Sequence, residues 1–479
     1  MASAWIDHLQ RQGILEDQHV EKKRTVICQH VQQIADIVTT KLANAYNVRH
    51  QPCRVMPFGS YALGAHLKES DMDLVCFAPW QLQRHDIFKG MAQQLRQVDS
   101  ISALEIVERA PVPIIKFIYD ESIPVDISFA RIHALSLTPM VNILDDQVLD
   151  GIEEVDCRSL DGPRVHHLIE SKVAVDDKPA FCAALRCIKH WAMQRGIYGK
   201  PMGYLNGGTW ALLLCKTYME IAGSRHVDSL LYAFFNQWAK WSWPKPVLLD
   251  KLHDLHGSST TFNDLMEFQQ DVMPILTPCY PYKSSNPYAT YSTVKIMTRE
   301  LIRASNIMNA YIRNEQASLI PKLFKPSNFY RQYKHYLNIV LCSDHVSKRQ
   351  DRFKGKLAAC IPKLIELVEQ SPRIILAHPW TAARTSVYNY STLEEKADVQ
   401  RGVLVNDPRS YYMSGELNPG ELYRLDYYVA LELAPEHSTT GHNDNVVDLS
   451  SSINTFIQET KEKILLRDRS ASLAVTSVK

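Results

Sequence analysis

The chain has 479 residues and a formal charge of +1, from 53 Lys and Arg against 52 Asp and Glu, with 46% hydrophobic and 22% charged residues. This length predicts about three domains, the composition excludes wholesale disorder, and near-neutrality excludes a uniformly basic nucleic-acid coat while leaving room for a local basic patch. Ten cysteines without a C-x-x-C pair read as reduced thiols packed as small hydrophobes, and no export signal or apolar run near ~20 residues is present, so a soluble intracellular protein is expected.

Val20, Ile27, Val31, Ile34 and Val38 recur at helical spacing and predict a helix over 17–46. From 53 to 130 the texture changes to short β-prone runs, RVMPF, DLVCFA, ALEIVE, VPIIKFIY and VDISFA, which predict a small mixed α/β unit. Residues 179–313 return to helix: PAFCAALRCIKHWAMQRG opens on Pro and stops at Gly196, and DSLLYAFFNQWAKWSW and STVKIMTRELIRASNIMNAYIR are amphipathic. Between those two, the prolines of MPILTPCYPYKSSNP exclude a regular helix or central strand. LIPKLFKPSNF (319–329) reads as a domain joint. Beyond it, YRQYKHYLNIVLCS (strand), SKRQDRFKGKLAACIPKLIELVEQ (helix), the strands PRIILAH, GVLVND, SYYMSGEL and YRLDYYVALEL, and a closing helix VVDLSSSINTFIQETKEKILL predict an α+β module. RSASLAVTSVK reads as a frayed tail.

Chemistry concentrates in MPFGSYALGAHLKESDMDLVCFAP (56–79). Gly59-Ser60 opens a turn after a strand, and Asp71 and Asp73 stand two apart, so in an extended segment both project to one face. Their neighbours Leu74, Val75 and Cys76 place them at the entry of a buried strand, and Asp126 has a similar apolar setting. Converging carboxylates repel unless a cation compensates or one is protonated. Hard oxygen ligands suit Mg²⁺ or Mn²⁺, and three of them could hold two ions for in-line displacement at phosphorus. D-x-D alone usually marks a solvated turn; Gly-Ser and the strand Asp126 weigh against that here. Lys189 interrupts the apolar face of Leu185, Ile188, Trp191 and Ala192, which taken alone reads as a side chain snorkelling to solvent. Lys116 in VPIIKF reads as a strand-edge charge. NGGTW (206–210) is a tight turn or a phosphate-binding helix start.

G-S-x₁₀-D-x-D with a later strand Asp resembles the DNA polymerase β type of nucleotidyltransferase. FGSYALGAHLKESDMDLVCFAP, VPIIKF, VDISFAR, ALRCIKHWAMQRGIYG, FFNQWAKWSWPKPVLL and MPILTPCYP more closely resemble segments of the eukaryotic nuclear poly(A) polymerases, in that family's order across about residues 17–460. The resemblance implies an α+β multidomain chain. A nucleotidyltransferase catalytic domain would span 1–155, its N-terminal helix packing on the middle domain. A helical middle domain would span 156–320 and an RRM-like RNA-binding domain 321–479. Asp71, Asp73 and Asp126 would be the catalytic metal ligands for two Mg²⁺ or Mn²⁺ ions. Phe58, Gly59, Ser60, Val112, Lys116, Lys189, Tyr198, Gly207, Gly208 and Thr209 would contact the nucleotide, with ATP as substrate, AMP added to an RNA 3′ end and pyrophosphate released. A monomer in the nucleus, working with cleavage and polyadenylation factors and no membrane, is the expectation, although no basic import signal stands out. This sequence departs from the family at Thr209 (Val after the glycine pair), Lys200 (Asn), Asp161 (Asn in S-L-N-G) and an extra residue, Asn206, and these departures bear on ATP against UTP or CTP.

Residues 322–373 hold eleven Lys or Arg against four Asp or Glu, a net of +7, interleaved with Phe329, Tyr330, Tyr333, Tyr336 and Phe353. This suits phosphate contact and base stacking, and equally a solvated helix face over core tyrosines. Lys322, Lys325, Lys348, Arg349 and Lys354 are the RNA candidates. Without an RNP1-type sequence, contact independent of base sequence is expected. Two rivals stand beside adenylyl transfer: an RNA uridylyltransferase, and a non-catalytic RNA-binding subunit on a degenerate scaffold.

Overall fold

The computed structural model describes residues 4–108, 110–133, 142–254, 257–314, 317–344, 350–403, 409–410, 417, 419–435, 447–464 and 471–478. Five β-prone runs form one sheet: β1 (Arg54–Phe58), β2 (Met72–Pro79), β3 (Ile101–Val107), β4 (Ile114–Tyr119) and β5 (Ile123–Ile132). Their order is β1-β2-β5-β4-β3, with β2 and β5 parallel and all other neighbours antiparallel. Period-two alternation sorts the side chains. Leu74, Cys76 and Ala78 enter the core beneath helices α2 (Gln18–Tyr46) and α4 (Arg84–Leu95). Val75 and Phe77 enter the opposite face and meet Leu160 of α5 (Glu154–Lys172).

One expectation is corrected here. The helix over 17–46 packs on this sheet, because Ile27, Val31, Ile34 and Val38 share its core. The short helix α1 (Ala4–Arg11) packs on the helical middle part instead: Trp5 and Leu9 are fully buried there, and Trp5 Nε1 donates to Asp228 Oδ1 at 2.8 Å.

The middle of the chain is helical: α5, α6 (Lys178–Gln194), α7 (Gly207–Glu220), α8 (Val227–Ala239) and α9 (Tyr291–Asn314). Its core is aromatic. Trp191 of α6 meets Trp210 of α7 at 5.6 Å and Phe235 of α8 at 4.9 Å, both edge-on, the geometry that ring quadrupoles favour. Gly196, at φ +69°, ends the turn after α6, a backbone conformation that disfavours a Cβ.

The C-terminal module runs β6 (His335–Ser343), α10 (Gln350–Glu369), β7 (Ile374–Pro379), β8 (Arg384–Asn389), α11 (Leu393–Gln400), β9 (Glu421–Leu433), α12 (Ser450–Ile464) and β10 (Ser472–Val478). The long strand β9 pairs β6 along one edge, and β8 then β7 along the other, all antiparallel. The expected strand YRQYKHYLNIVLCS starts only at His335, since Phe329–Gln332 is a helical turn. The expected frayed tail is also corrected. Residues 472–478 form β10, in register with β6 from Ser472↔Cys342 to Val478↔Tyr336, which covers an otherwise unpaired edge. GVLVND and SYYMSGEL fall mostly outside the described residues; of them Arg409–Ser410 pairs with β8. The helical core continues into this module through Leu341, Leu357 and Leu425.

Candidate active site

The alternation that sends Val75 and Phe77 to the α5 face of the sheet sends Asp71 and Asp73 the same way. Asp73 lies beside Asp126 in the parallel β2–β5 register, and Val125 and Ile127 on either side of Asp126 turn to the other core. β1 leads directly into the one-turn helix α3 (Gly59–Ala62). Gly59 has φ +68°, and a Cβ there would sit 2.6 Å from Asp73 Oδ2, so both backbone and space demand glycine.

The helical part closes the other side. Lys189 of α6 is 2% exposed and donates to the Ala65 carbonyl at 3.2 Å, which excludes the snorkelling reading. Phe58, Gly59, Ser60, Asp71, Asp73, Lys189, Tyr198, Gly207, Gly208 and Thr209 line one cleft of about 580 Å³ between the sheet, α5, α6 and α7. A Cβ on Gly207 would come within 2.8 Å of the Tyr198 hydroxyl and 3.5 Å of Lys189 Cε, so the α7 start approaches both closely. Asn206 caps α7: its Oδ1 accepts from Thr209 N at 2.9 Å and from Thr209 Oγ1 at 2.8 Å. The Thr209 hydroxyl is thus engaged with the cap.

The charges are out of balance. Burial, then Asp71 and Asp126, hold the Asp73 carboxyl up at about 7. Burial also raises Asp126, against the hydrogen bond from Lys116 at 2.5 Å. Lys189 is pulled down to about 8 by burial, despite Asp71 and Asp73, and burial pushes Tyr198 up to about 12. Lys116 faces Asp126 in the β4–β5 register and lies outside the cleft lining, as does Val112 in the turn before β4.

Sequence reasoning missed Lys283, hidden in the proline-rich run, which forms an ion pair with Asp161 in the same cleft. His166, Thr277, Ser284 and Ser285 line it too. The RNA candidates Lys322, Lys325 and Lys354 are exposed and outside the cleft, while Lys348 and Arg349 lie outside the described residues. The stacking expectation is corrected. Phe329, Tyr336 and Phe353 are buried, and Tyr333 is half-buried with its hydroxyl 2.9 Å from His378 Nδ1; among these five, Tyr330 is the exposed ring, at 56%.

Family models match along the chain in order: "Poly(A) polymerase nucleotidyltransferase domain" at residues 1–173, "Poly(A) polymerase central domain" at 180–326 and "Poly(A) polymerase predicted RNA binding domain" at 328–479. The poly(A) polymerase pla1 of Schizosaccharomyces pombe is 30% identical over 412 residues, covering 84% of this chain and 71% of that protein. The poly(A) polymerase PAPalpha of Candida albicans is 31% identical over 389 residues, covering 79% and 68%. Among solved structures, Cid1 in complex with its short product ApU aligns with a TM-score of 0.47 at 15% identity, over 68% of this chain and 98% of that one.

Proposed function

Since the chain belongs to the poly(A) polymerase family, we propose that its cleft performs template-independent addition of AMP from ATP to RNA 3′ ends in mRNA polyadenylation. The observation that carries this reading is the register of Asp73 beside Asp126, with Asp71 on the same face, opposite a buried lysine. The RNA 3′ hydroxyl gives up its proton to solvent as its oxygen bonds to the α-phosphorus, the bond from that phosphorus to the bridging oxygen breaks, and pyrophosphate leaves with the electron pair.

The donor set fits divalent metal. Three carboxylates converge with Lys116 and Lys189 as the cations beside them, and burial, then Asp71 and Asp126, raise the Asp73 carboxyl to about 7. Asp71, Asp73 and Asp126 would hold two ions, Mg²⁺ or Mn²⁺, which when bound supply charge neutralisation and activation of the 3′ hydroxyl. Lys189 and Tyr198 bind and orient the triphosphate, and the close α7 start brings its amide groups toward it. Gly59 keeps the carboxylates and the α3 backbone in contact. Catalysis of this kind is positioning and electrostatics.

Residues 1–155, 156–320 and 321–479 take the catalytic, middle and RNA-binding roles, with α1 seated on the middle part. The C-terminal module grips RNA through exposed lysines without reading its sequence. The eukaryotic relatives support work in the nucleus, as a monomer among cleavage and polyadenylation factors. The test is extension of an oligo(A) primer with each nucleoside triphosphate singly, by the wild type and by Asp126→Ala. Extension with ATP that the substitution abolishes is expected. UTP preference would point to a uridylyltransferase, no extension by the wild type to a binding subunit, and activity surviving in the variant would sink the metal assignment.

A further inference from the structure

Away from the catalytic carboxylates, α5 carries a second group of metal-ligating side chains. His166 and His167 stand four and three residues before Glu170, the two spacings that bring side chains together on a helix surface. His166 Nε2 and His167 Nδ1 face Glu170 Oε2 at 3.8 and 3.7 Å, and the three atoms lie within 4.8 Å of one another. The two rings meet edge-on, with centroids 5.1 Å apart.

These atoms converge without bonding to one another. Separations of 3.7 and 3.8 Å lie beyond hydrogen-bond reach, and neither imidazole makes a hydrogen bond among the described residues. His166 is 5% exposed, so its ring gains little from bulk water. Burial holds His166 down at about 4 and lowers His167 too, which leaves both rings neutral, with lone pairs to give, near pH 7. Lys178 Nζ donates to Glu170 Oε1 at 2.8 Å; this keeps the carboxylate ionised and leaves Oε2 to the imidazoles. Two nitrogen lone pairs directed at a carboxylate oxygen repel it unless a cation lies between them.

We propose that His166 Nε2, His167 Nδ1 and Glu170 Oε2 bind a divalent transition-metal ion of the Zn²⁺ class, at a site separate from Asp71, Asp73 and Asp126. Zn–N bonds of about 2.0–2.1 Å and Zn–O bonds of about 2.0–2.2 Å put tetrahedral ligands about 3.3–3.5 Å apart, so both nitrogens need only a small closure onto Oε2. The side chains of His167 and Glu170 are 29% and 38% exposed and line a cavity of about 430 Å³ with Arg54 and Lys178. An ion therefore has a path in, and water has room to complete the four-fold set. Two imidazoles and one carboxylate suit a borderline ion, whereas the all-carboxylate catalytic set suits Mg²⁺ or Mn²⁺. The positive charge of Arg54 and Lys178 sharpens that contrast, because it opposes an ion held by charge alone. His166 also lines the catalytic cleft, so a bound ion would fix one ring of its wall.

The test strips the full-length chain of metal and titrates it with Zn²⁺ by calorimetry in excess Mg²⁺, with Co²⁺ as the spectroscopic probe. The wild type is expected to take up Zn²⁺ under these conditions and to give Co²⁺ the strong visible absorption of a four-coordinate site. Glu170→Gln keeps the side-chain shape and removes the anionic ligand; His167→Ala removes a partly exposed ring and serves as the second variant. Each should weaken Zn²⁺ binding by about 100-fold or more, beyond the roughly 10- to 100-fold that outer-shell changes cost, and abolish the Co²⁺ band with circular dichroism unchanged. Zn²⁺ should raise the thermal midpoint of the wild type and leave that of either variant in place. Asp126→Ala should bind Zn²⁺ as the wild type does. No Zn²⁺ uptake by the wild type overturns the proposal, as does uptake unchanged in Glu170→Gln and His167→Ala. Loss of uptake in Asp126→Ala alone also overturns it, by placing the ion on the catalytic carboxylates.

Discussion

Gly196→Ala tests how the C-terminal module is tied to the part of the cleft lined by Lys189 and Tyr198. Gly196 follows α6, which carries Lys189, and stands two residues before Tyr198. Its φ of +69° costs an alanine about 1–2 kcal/mol. A Cβ there would also lie inside contact distance of the Trp380 ring, with two of its carbons at 2.7 and 2.8 Å. That ring has little room to retreat: it stacks on buried Phe329 at 4.8 Å, meets Tyr330 edge-on at 6.3 Å, and its backbone N–H is held by the Tyr428 carbonyl at 2.9 Å. Overpacking of this kind costs about 1–3 kcal/mol, for about 2–5 kcal/mol in all. Urea unfolding of Gly196→Ala, Trp380→Ala and the double variant separates the two contributions. In the Trp380→Ala background only the backbone part should remain, a coupling of about 1–3 kcal/mol. Equal cost of Gly196→Ala in both backgrounds would refute the packing argument. Because the strain acts next to Tyr198, the KM for ATP should rise in Gly196→Ala as well.

Asp426→Ala should destabilise the chain by about 3–5 kcal/mol in urea unfolding, because it strands Arg424, 1% exposed, whose guanidinium donates to Asp426 at 2.6 and 3.0 Å alongside Asn338 at 2.9 Å; replacing Arg424 and Asp426 together by leucine should cost less. Burial holds His378 down at about 3 and His190 at about 4, against 6.5 when unfolded. The unfolded chain therefore binds protons that the folded chain refuses, and stability should fall as pH drops below about 6.5, by about 1.4 kcal/mol per pH unit per histidine. His378→Phe should flatten the thermal-melt profile between pH 6.5 and 4, and an unchanged slope would reassign the acid sensitivity. Reversing Lys322, Lys325 and Lys354 to Glu should weaken primer binding and, if each touches a phosphate, reduce its log–log salt slope by about 2; unchanged affinity would make these lysines a solvated face.

What the sequence disclosed follows the range of the interactions involved. The catalytic sheet was legible because each of its strands has its own alternation, and β2 carries both cores, Leu74 and Cys76 on one face and Val75 and Phe77 on the other. The same alternation aimed Asp71 and Asp73 before any partner strand was known. Lys189 was legible as an ammonium on an apolar face. By contrast α5 carries Gly162 and Pro163, which read as helix breakers. It holds because distant groups grip it: Asp156 accepts from Arg84 and from Arg131 at 3.1 Å, and Arg164 donates to the Ile143 carbonyl at 2.8 Å. β10 is illegible for the same reason, since SLAVTSV becomes a strand only beside β6. Composition likewise could not distinguish a stacking ring from a core ring, and most of the aromatics in the basic window are core.

The charge total of +1 conceals where charge is unsatisfied, and position decides that. Lys322, Lys325 and Lys354 are exposed, where long-range attraction for a polyanion would be their means of action. In the cleft the imbalance is partly buried, and Asp73, Asp161, Lys189 and Lys200 are displaced from their ordinary state. Asp73 is lifted by burial and then by Asp71 and Asp126, Lys189 is lowered by burial, and burial lowers Lys200 too, which has no hydrogen-bond or ion-pair partner among the described residues. The cleft thus holds paired carboxylates at Asp71 and Asp73 and paired ammonium groups at Lys200 and Lys283. A divalent ion would relieve the carboxylates and phosphate oxygens the ammonium groups, so a complete nucleoside triphosphate with its metal would relieve both. Binding of adenosine should therefore be far weaker than binding of Mg²⁺ with ATP.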